Sequence, residues 1–171
     1  MTAATRESLR KTRREAEGYL ELGLPEHALR SLRRRSDLIY HDARGCYLVG
    51  ETLRELQLYS QAVRPLQRAL ELIPDDVHAW MALGWCYKRI GRIEMAIDSL
   101  EHALAVEPGL AVLHYNMACY CSLARRRRLA LQHLGDALDI DGNFRDFLAY
   151  ETDFAPLRTD PGFRGFLGEA T

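Results

Sequence analysis

The sequence predicts an all-α protein built as a right-handed α-solenoid of about four helix hairpins, closed by a C-terminal capping helix. Three observations predict it. Small and apolar residues recur every 34 residues, apolar residues between these marks follow helical spacing, and glycine or proline interrupts each helical segment. One hairpin cannot bury its apolar side alone, so consecutive hairpins are expected to stack.

The 34-residue period is clearest in the copy between Val77 and Leu110. That copy carries, in order, Trp80, Leu83, Gly84, Tyr87, Ala96, Leu100, Ala103 and Pro108. One period earlier stand Gly50, Leu53, Ala62, Leu66, Ala69 and Pro74, and one period later Ala118, Cys121, Ala130, Leu134 and Ala137. The small residues mark the places where neighbouring helices must approach closely.

The period divides the chain into four repeats and a C-terminal cap, which together form a single domain. The boundaries are 9–42, 43–76, 77–110 and 111–144 for the repeats, 145–171 for the cap, and 1–171 for the domain. The first repeat is degenerate, with Thr12 and Glu15 at the positions of Trp80 and Leu83. A polar outer repeat is expected at the end of a solenoid, where it faces water.

Start and stop signals place the helices of the third repeat. Asp75 or Asp76 can cap the first helix, and Gly91 ends it because glycine accepts the left-handed backbone of a helix terminus. Pro108 breaks the second helix. In the C-terminal cap, Asp160 followed by Pro161 predicts the start of a short helix that covers the apolar face of the fourth repeat.

Composition restricts the class of function. The formal net charge of −1 provides no overall attraction to nucleic acid or anionic membranes. No segment has the length and apolar character of a membrane span or a secretory signal, which predicts a cytoplasmic protein. Free buried thiols are predicted for the four cysteines, Cys46, Cys86, Cys119 and Cys121.

The signature residues resemble the tetratricopeptide repeat (TPR), and residues 153–163 resemble the ending of bacterial TPR arrays. The resemblance covers about residues 9–144 and is strongest in the last three repeats. It implies a non-enzymatic module that binds a peptide or an amphipathic helix of another protein. The first helix of each repeat would line a concave groove that holds this partner.

Helical phase assigns the groove residues, because they lie opposite the residues that form the core. The predicted groove residues are Arg44, Tyr47, Glu51, Arg54, His78, Met81, Trp85, Lys88, Tyr115, Asn116 and Cys119. Aromatic and methionine side chains beside cations are typical of interface anchors. The lysine and asparagine pattern of the TPRs that bind acidic chaperone tails is missing. The alternative is that the C-terminal cap folds back and fills the groove.

The sharpest local charge feature is the basic turn, formed by Arg125, Arg126, Arg127 and Arg128 between the two helices of the fourth repeat. No aromatic residue interrupts it, which favours a solvated turn over a nucleic-acid site. Nucleic-acid or ribosome association through this turn is therefore the weakest of three functional hypotheses. The leading hypothesis is a scaffold or adaptor. The second is a chaperone that holds an unfolded client.

The residue pattern does not support enzymatic activity. The six histidines are scattered, and the sequence contains neither a phosphate-binding glycine loop nor a nucleophile elbow. We therefore predict no catalytic residue, no cofactor, no metal ion and no small-molecule substrate. Self-association through incompletely capped repeat ends is compatible with this architecture.

Overall fold

The structure is a computed structural model that describes residues 2–168. The regular elements of these residues are all helices, with no strand among them, which confirms the predicted all-α class. They divide into an N-terminal unit, residues 2–90, and a C-terminal unit, residues 91–168. The predicted cap extends to residue 171, so its last three residues lie outside the described range.

The N-terminal unit contains two helix hairpins and one further long helix. Its helices are α1 (Ala3–Glu21), α2 (Pro25–Arg33), α3 (Ser36–Ile39), α4 (Ala43–Glu55), α5 (Tyr59–Leu72) and α6 (Val77–Arg89). Helix α1 pairs with α2 and α4 pairs with α5, while α6 packs against α5 and α4. Asp76 caps α6 by accepting a hydrogen bond from the amide of Ala79, as one of the two predicted caps.

The first repeat forms a helix hairpin despite its polar face. Its buried residues join those of the second repeat in a cluster formed by Leu9, Ala16, Ala28, Leu32, Ile39 and Leu48. Arg13 of α1 also donates to both carboxylate oxygens of Asp42, at 3.0 and 3.2 Å, and Asp42 caps α4. The first repeat is therefore fixed to the second by apolar packing and by an ion pair.

The turns that follow the first helix of each repeat share a backbone conformation at intervals of 34 residues. Gly23, Gln57, Gly91 and Arg125 have φ angles of 68, 59, 75 and 61°. Two of these positions therefore place a non-glycine residue in the left-handed region. The prediction that Gly91 ends the first helix of its repeat is confirmed, because α6 ends at Arg89 and Gly91 has this conformation.

Replacing Gln57 with glycine is expected to raise the free energy of unfolding by about 0.5–1 kcal/mol. A left-handed conformation costs a non-glycine residue about 1–2 kcal/mol, and the greater freedom of glycine in the unfolded chain offsets about half of this. Gln57 is exposed, so no buried contact is lost. Urea unfolding with an unchanged m-value measures the effect. Gly91→Ala is the reverse control and is expected to destabilise; stabilisation by Gly91→Ala would contradict the argument.

The C-terminal unit contains one complete hairpin, the helix before it and the cap. Its α-helices are α7 (Ile93–Val106), α8 (Ala111–Leu123), α9 (Arg127–Ile140), α10 (Arg145–Leu148) and α11 (Pro161–Phe166), and its 3-10 helices are Gly142–Phe144 and Thr152–Leu157. Asp160 accepts hydrogen bonds from the amides of Gly162 and Phe163, with Pro161 at the first helical position. The predicted start of the capping helix is thereby confirmed.

Candidate functional site

Eight predicted groove residues lie on two neighbouring helices of the N-terminal unit. We call this surface the groove face: Arg44, Tyr47, Glu51 and Arg54 on α4, and His78, Met81, Trp85 and Lys88 on α6. Arg44 and His78 are exposed and the other six are half-buried. Aromatic, thioether and charged side chains thus share an accessible surface on the described part of this unit.

Two cations lie over aromatic rings of the groove face. The guanidinium carbon of Arg44 is 5.1 Å from the ring centroid of Tyr47, and Nζ of Lys88 is 4.4 Å from that of Trp85. Such contacts are attractive because the ring face carries partial negative charge. They restrict the two aromatic side chains before any partner arrives, which lowers the entropy lost on binding.

Ion pairs within the chain reduce the positive charge of the groove face. Arg44 pairs with Glu17 of α1 at 2.9 Å, while Arg54 pairs with Glu51 at 2.9 Å and with Glu55 at 2.7 Å. Burial and the nearby Glu51 carboxylate raise the pKa of Tyr47 to about 12, so its hydroxyl stays protonated at neutral pH. The surface therefore suits an amphipathic segment better than a strongly acidic one.

Two predicted groove residues of the fourth repeat are not accessible. Tyr115 and Cys119 on α8 are only 7 and 3 % exposed. The ring of Tyr115 stacks on Phe144 at 4.8 Å between centroids and meets Phe154 edge-on at 5.7 Å. Their expected exposure was wrong, because the C-terminal cap and the turn before it cover this side of α8. Asn116 remains half-buried.

The cap is also attached to α8 by a polar contact. Ser122 is buried, and its hydroxyl donates to the backbone oxygen of Asp153 at 2.8 Å. The 3-10 helix Thr152–Leu157 packs directly on α8. In the C-terminal unit, the arrangement therefore matches the alternative in which the chain covers its own groove side.

Ion pairs engage half of the basic turn. Arg126 pairs with Glu94 of α7, and Arg127 pairs with Asp160 at the start of α11. Arg125 takes the left-handed backbone of the turn, and Arg128 is exposed. The pair with Arg127 lowers the pKa of Asp160. These contacts support a structural role for the basic turn.

A cavity that the sequence analysis missed lies between α2, α3, α4 and α5. Helix α2 has 9 residues, whereas the equivalent helices α5, α7 and α9 have 14 each. The shortened helix leaves an apolar cavity of about 410 Å³, lined in part by Leu32, Ile39, Cys46, Leu53 and Pro65 and rimmed by Arg33 and Arg64. It is a second surface of the N-terminal unit on which a partner can be sought.

The cysteines are free and buried, as predicted. Burial raises the pKa of Cys46, Cys86 and Cys121 to about 11, so these thiols are protonated at neutral pH. A protonated thiol is a poor nucleophile and a poor metal ligand. Their burial therefore supports a structural role in the core.

The histidines are less scattered than the sequence indicates. His114 on α8 and His133 on α9 are in ring contact, and Asp136 lies beside both. Ligand spacing within one helix does not reveal this contact, because the two imidazoles come from two helices. One feature of the sequence could have indicated part of this cluster: the spacing of His133 and Asp136 places both on one face of α9.

The helix hairpins, together with a turn conformation that recurs every 34 residues, define a helical-repeat protein. Residues 43–76 and 77–109 match the family model of the tetratricopeptide repeat. These two segments are thereby recognised as TPRs, in agreement with the resemblance of their signature residues. Proteins of this fold mediate protein–protein interactions.

Solved structures of similar fold are TPR proteins. MamA from Desulfovibrio magneticus RS-1 aligns with a TM-score of 0.77 at 20% identity, over 95% of this chain and 94% of that one. A double mutant of RS-1 MamA aligns with a TM-score of 0.81 at 22% identity, over 95% of this chain and 92% of that one. YrrB is described as a TPR protein with an unusual peptide-binding site. It aligns with a TM-score of 0.70 at 24% identity, over 75% of this chain and 66% of that one. These likenesses concern the fold.

A search of curated protein sequences finds no match to this chain. Among residues 2–168, none of the helices combines the length and the apolar character that crossing a bilayer requires.

Proposed function

We propose that this protein is a scaffold or adaptor that binds a peptide or an amphipathic helix of another protein on the groove face. The observation that carries the proposal is the accessible pair Met81 and Trp85 on α6, next to Tyr47 on α4. These large side chains are only half-buried, whereas Tyr115, the equivalent of Met81 one period later, is buried.

The chemistry of the groove face favours an amphipathic partner. Trp85 and Met81 offer polarisable apolar area, and tryptophan is over-represented among residues that dominate binding energy. Arg44 and Lys88 lie over the rings of Tyr47 and Trp85, so the aromatic anchors are already restricted when such a partner binds. Peptide binding by the similar fold of YrrB supports the same class of ligand.

Trp85→Ala is expected to weaken partner binding by about 30-fold or more, equivalent to at least about 2 kcal/mol. Affinity purification from the native host, with wild type and variant as parallel baits, measures it by quantitative mass spectrometry. Circular dichroism verifies that the variant is folded. Arg64→Glu at the rim of the cavity and Tyr150→Ala in the C-terminal unit are the matched surface controls.

The partners lost with Trp85→Ala should remain with both controls. Retention of all partners by Trp85→Ala, or their loss only with Arg64→Glu, contradicts binding on the groove face. Hydrogen exchange of the captured partner then separates the two leading hypotheses. A folded partner is expected for an adaptor, whereas an unfolded partner would replace the adaptor with a chaperone.

A further inference from the structure

Three potential metal ligands of the C-terminal unit converge between α8 and α9. Nδ1 of His114 and Nδ1 of His133 are 3.1 Å apart. Oδ2 of Asp136 lies 3.6 Å from the first nitrogen and 3.8 Å from the second. We propose that this cluster binds a divalent transition-metal ion, Zn²⁺. The inference is independent of the proposed function, since the groove face lies in the other unit.

The distances fit zinc without displacement of either helix. Zinc binds histidine nitrogen at about 2.0–2.1 Å and carboxylate oxygen at about 2.0–2.2 Å. The point equidistant from the three atoms lies about 2.0 Å from each, as the circumradius of the triangle they form. An ion at or just above that point contacts all three ligands at normal bond lengths.

A backbone oxygen sets the tautomer of His114. Its Nε2 lies 2.9 Å from the carbonyl oxygen of Pro108, which can only accept a hydrogen bond. Nε2 must therefore carry a proton, and in the neutral ring Nδ1 presents its lone pair towards His133 and Asp136. A metal-binding histidine is typically oriented in this way, by donating its other ring nitrogen to a carbonyl or carboxylate.

The ligand types select the class of ion. Two imidazoles and one carboxylate suit zinc and its first-row neighbours, whereas calcium and magnesium prefer all-oxygen sites. The side chains of His114, His133 and Asp136 are 14, 20 and 43 % exposed, so an ion can enter and keep water as a fourth ligand. Bound there, it would link the two helices of the fourth repeat.

A hydrogen bond offers a metal-free explanation of the histidine contact. A proton on Nδ1 of His133, donated to Nδ1 of His114, also accounts for their separation. It leaves the carboxylate of Asp136 facing a lone pair on His114, which a cation would relieve. Metal binding by the purified protein separates the two explanations.

The test is calorimetric titration of the purified full chain with Zn²⁺, together with the visible absorption of tetracoordinate Co²⁺. His133→Gln is expected to weaken binding by at least about 100-fold, beyond the about 10–100-fold typical of losing a second-shell partner. Zn²⁺ should also raise the Tm of the wild type but not of this variant. His41→Gln, which removes an exposed histidine of the other unit, should bind like the wild type.

Cys119→Ser is a second control, because Cys119, Glu151 and Asp153 form another group of potential ligands. Loss of binding in that variant with retention in His133→Gln would overturn the proposal. Absence of Zn²⁺ binding by the wild type, or equal affinity in His133→Gln, would also overturn it. Should His133→Gln not fold, Asp136→Asn provides the same comparison, with at least about tenfold weaker binding expected.

Discussion

Replacing Phe154 with alanine is expected to lower the free energy of unfolding of the C-terminal unit by about 3–5 kcal/mol, the usual cost of truncating a buried aromatic side chain. Phe154 has no exposed surface, and its ring contacts Tyr115 at 5.7 Å and Phe163 at 5.2 Å between centroids. The substitution removes an aromatic contact through which the cap covers α8. Urea unfolding followed by circular dichroism measures the loss.

The reactivity of a buried thiol reports locally whether the cap still covers α8. Cys119 lies beneath the cap, so its reaction with a thiol reagent under native conditions should be faster in Phe154→Ala than in the wild type. Tyr115→Phe is the matched control: it removes a buried hydroxyl for which the described residues provide no hydrogen-bond partner. That change should alter the free energy of unfolding by less than about 1 kcal/mol. Unchanged stability and thiol reactivity in Phe154→Ala would show that the cap does not cover α8.

Gly50→Ala is expected to lower the free energy of unfolding of the N-terminal unit by about 1–3 kcal/mol, the typical cost of overpacking a core. A β-carbon at Gly50 would lie 2.5 Å from Cγ and Cδ2 of Leu66. Leu66 is fully buried and belongs to the facing helix α5, so it cannot move aside without displacing its neighbours. The clash outweighs the gain of about 1 kcal/mol in helix propensity.

Gly18→Ala separates the steric clash from the gain in helix propensity, because it provides the gain without the clash. Gly18 also lies inside a helix, α1, but an added β-carbon there meets nothing within 4 Å. This variant should be more stable than the wild type by about 0.5–1 kcal/mol. Stabilisation by both substitutions would contradict the close approach of α4 and α5.

The sequence predicts the hairpins well because their physical requirements are local or periodic. The small residues at Gly50 and Ala62 follow from the approach of two helices, and Asp76 and Gly91 act within one turn of the chain. The left-handed turn is visible at Gly23 and Gly91, where glycine occupies it. Gln57 and Arg125 conceal it, because nothing in their identity indicates a positive φ.

The missed features depend on contacts between segments that the period does not relate. Helical phase gives Tyr47, Met81 and Tyr115 equivalent positions in their repeats, but coverage of Tyr115 depends on the path of the chain beyond Phe144. That segment has no repeat to place it. His114 and His133 likewise meet because two helices pair in one particular register, and the cavity exists because α2 ends early at Arg33. Each requires three-dimensional coordinates.

We propose that a partner binds on the groove face of the N-terminal unit. Hydroxyl-radical footprinting tests it directly, since Met81, Trp85 and Tyr47 carry readily oxidised side chains. Addition of the captured partner should reduce oxidation of these three residues. Met95 and Tyr150, 38 and 85 % exposed in the C-terminal unit, should be oxidised as before. Unchanged oxidation of Met81 and Trp85 in the saturated complex would contradict the claim.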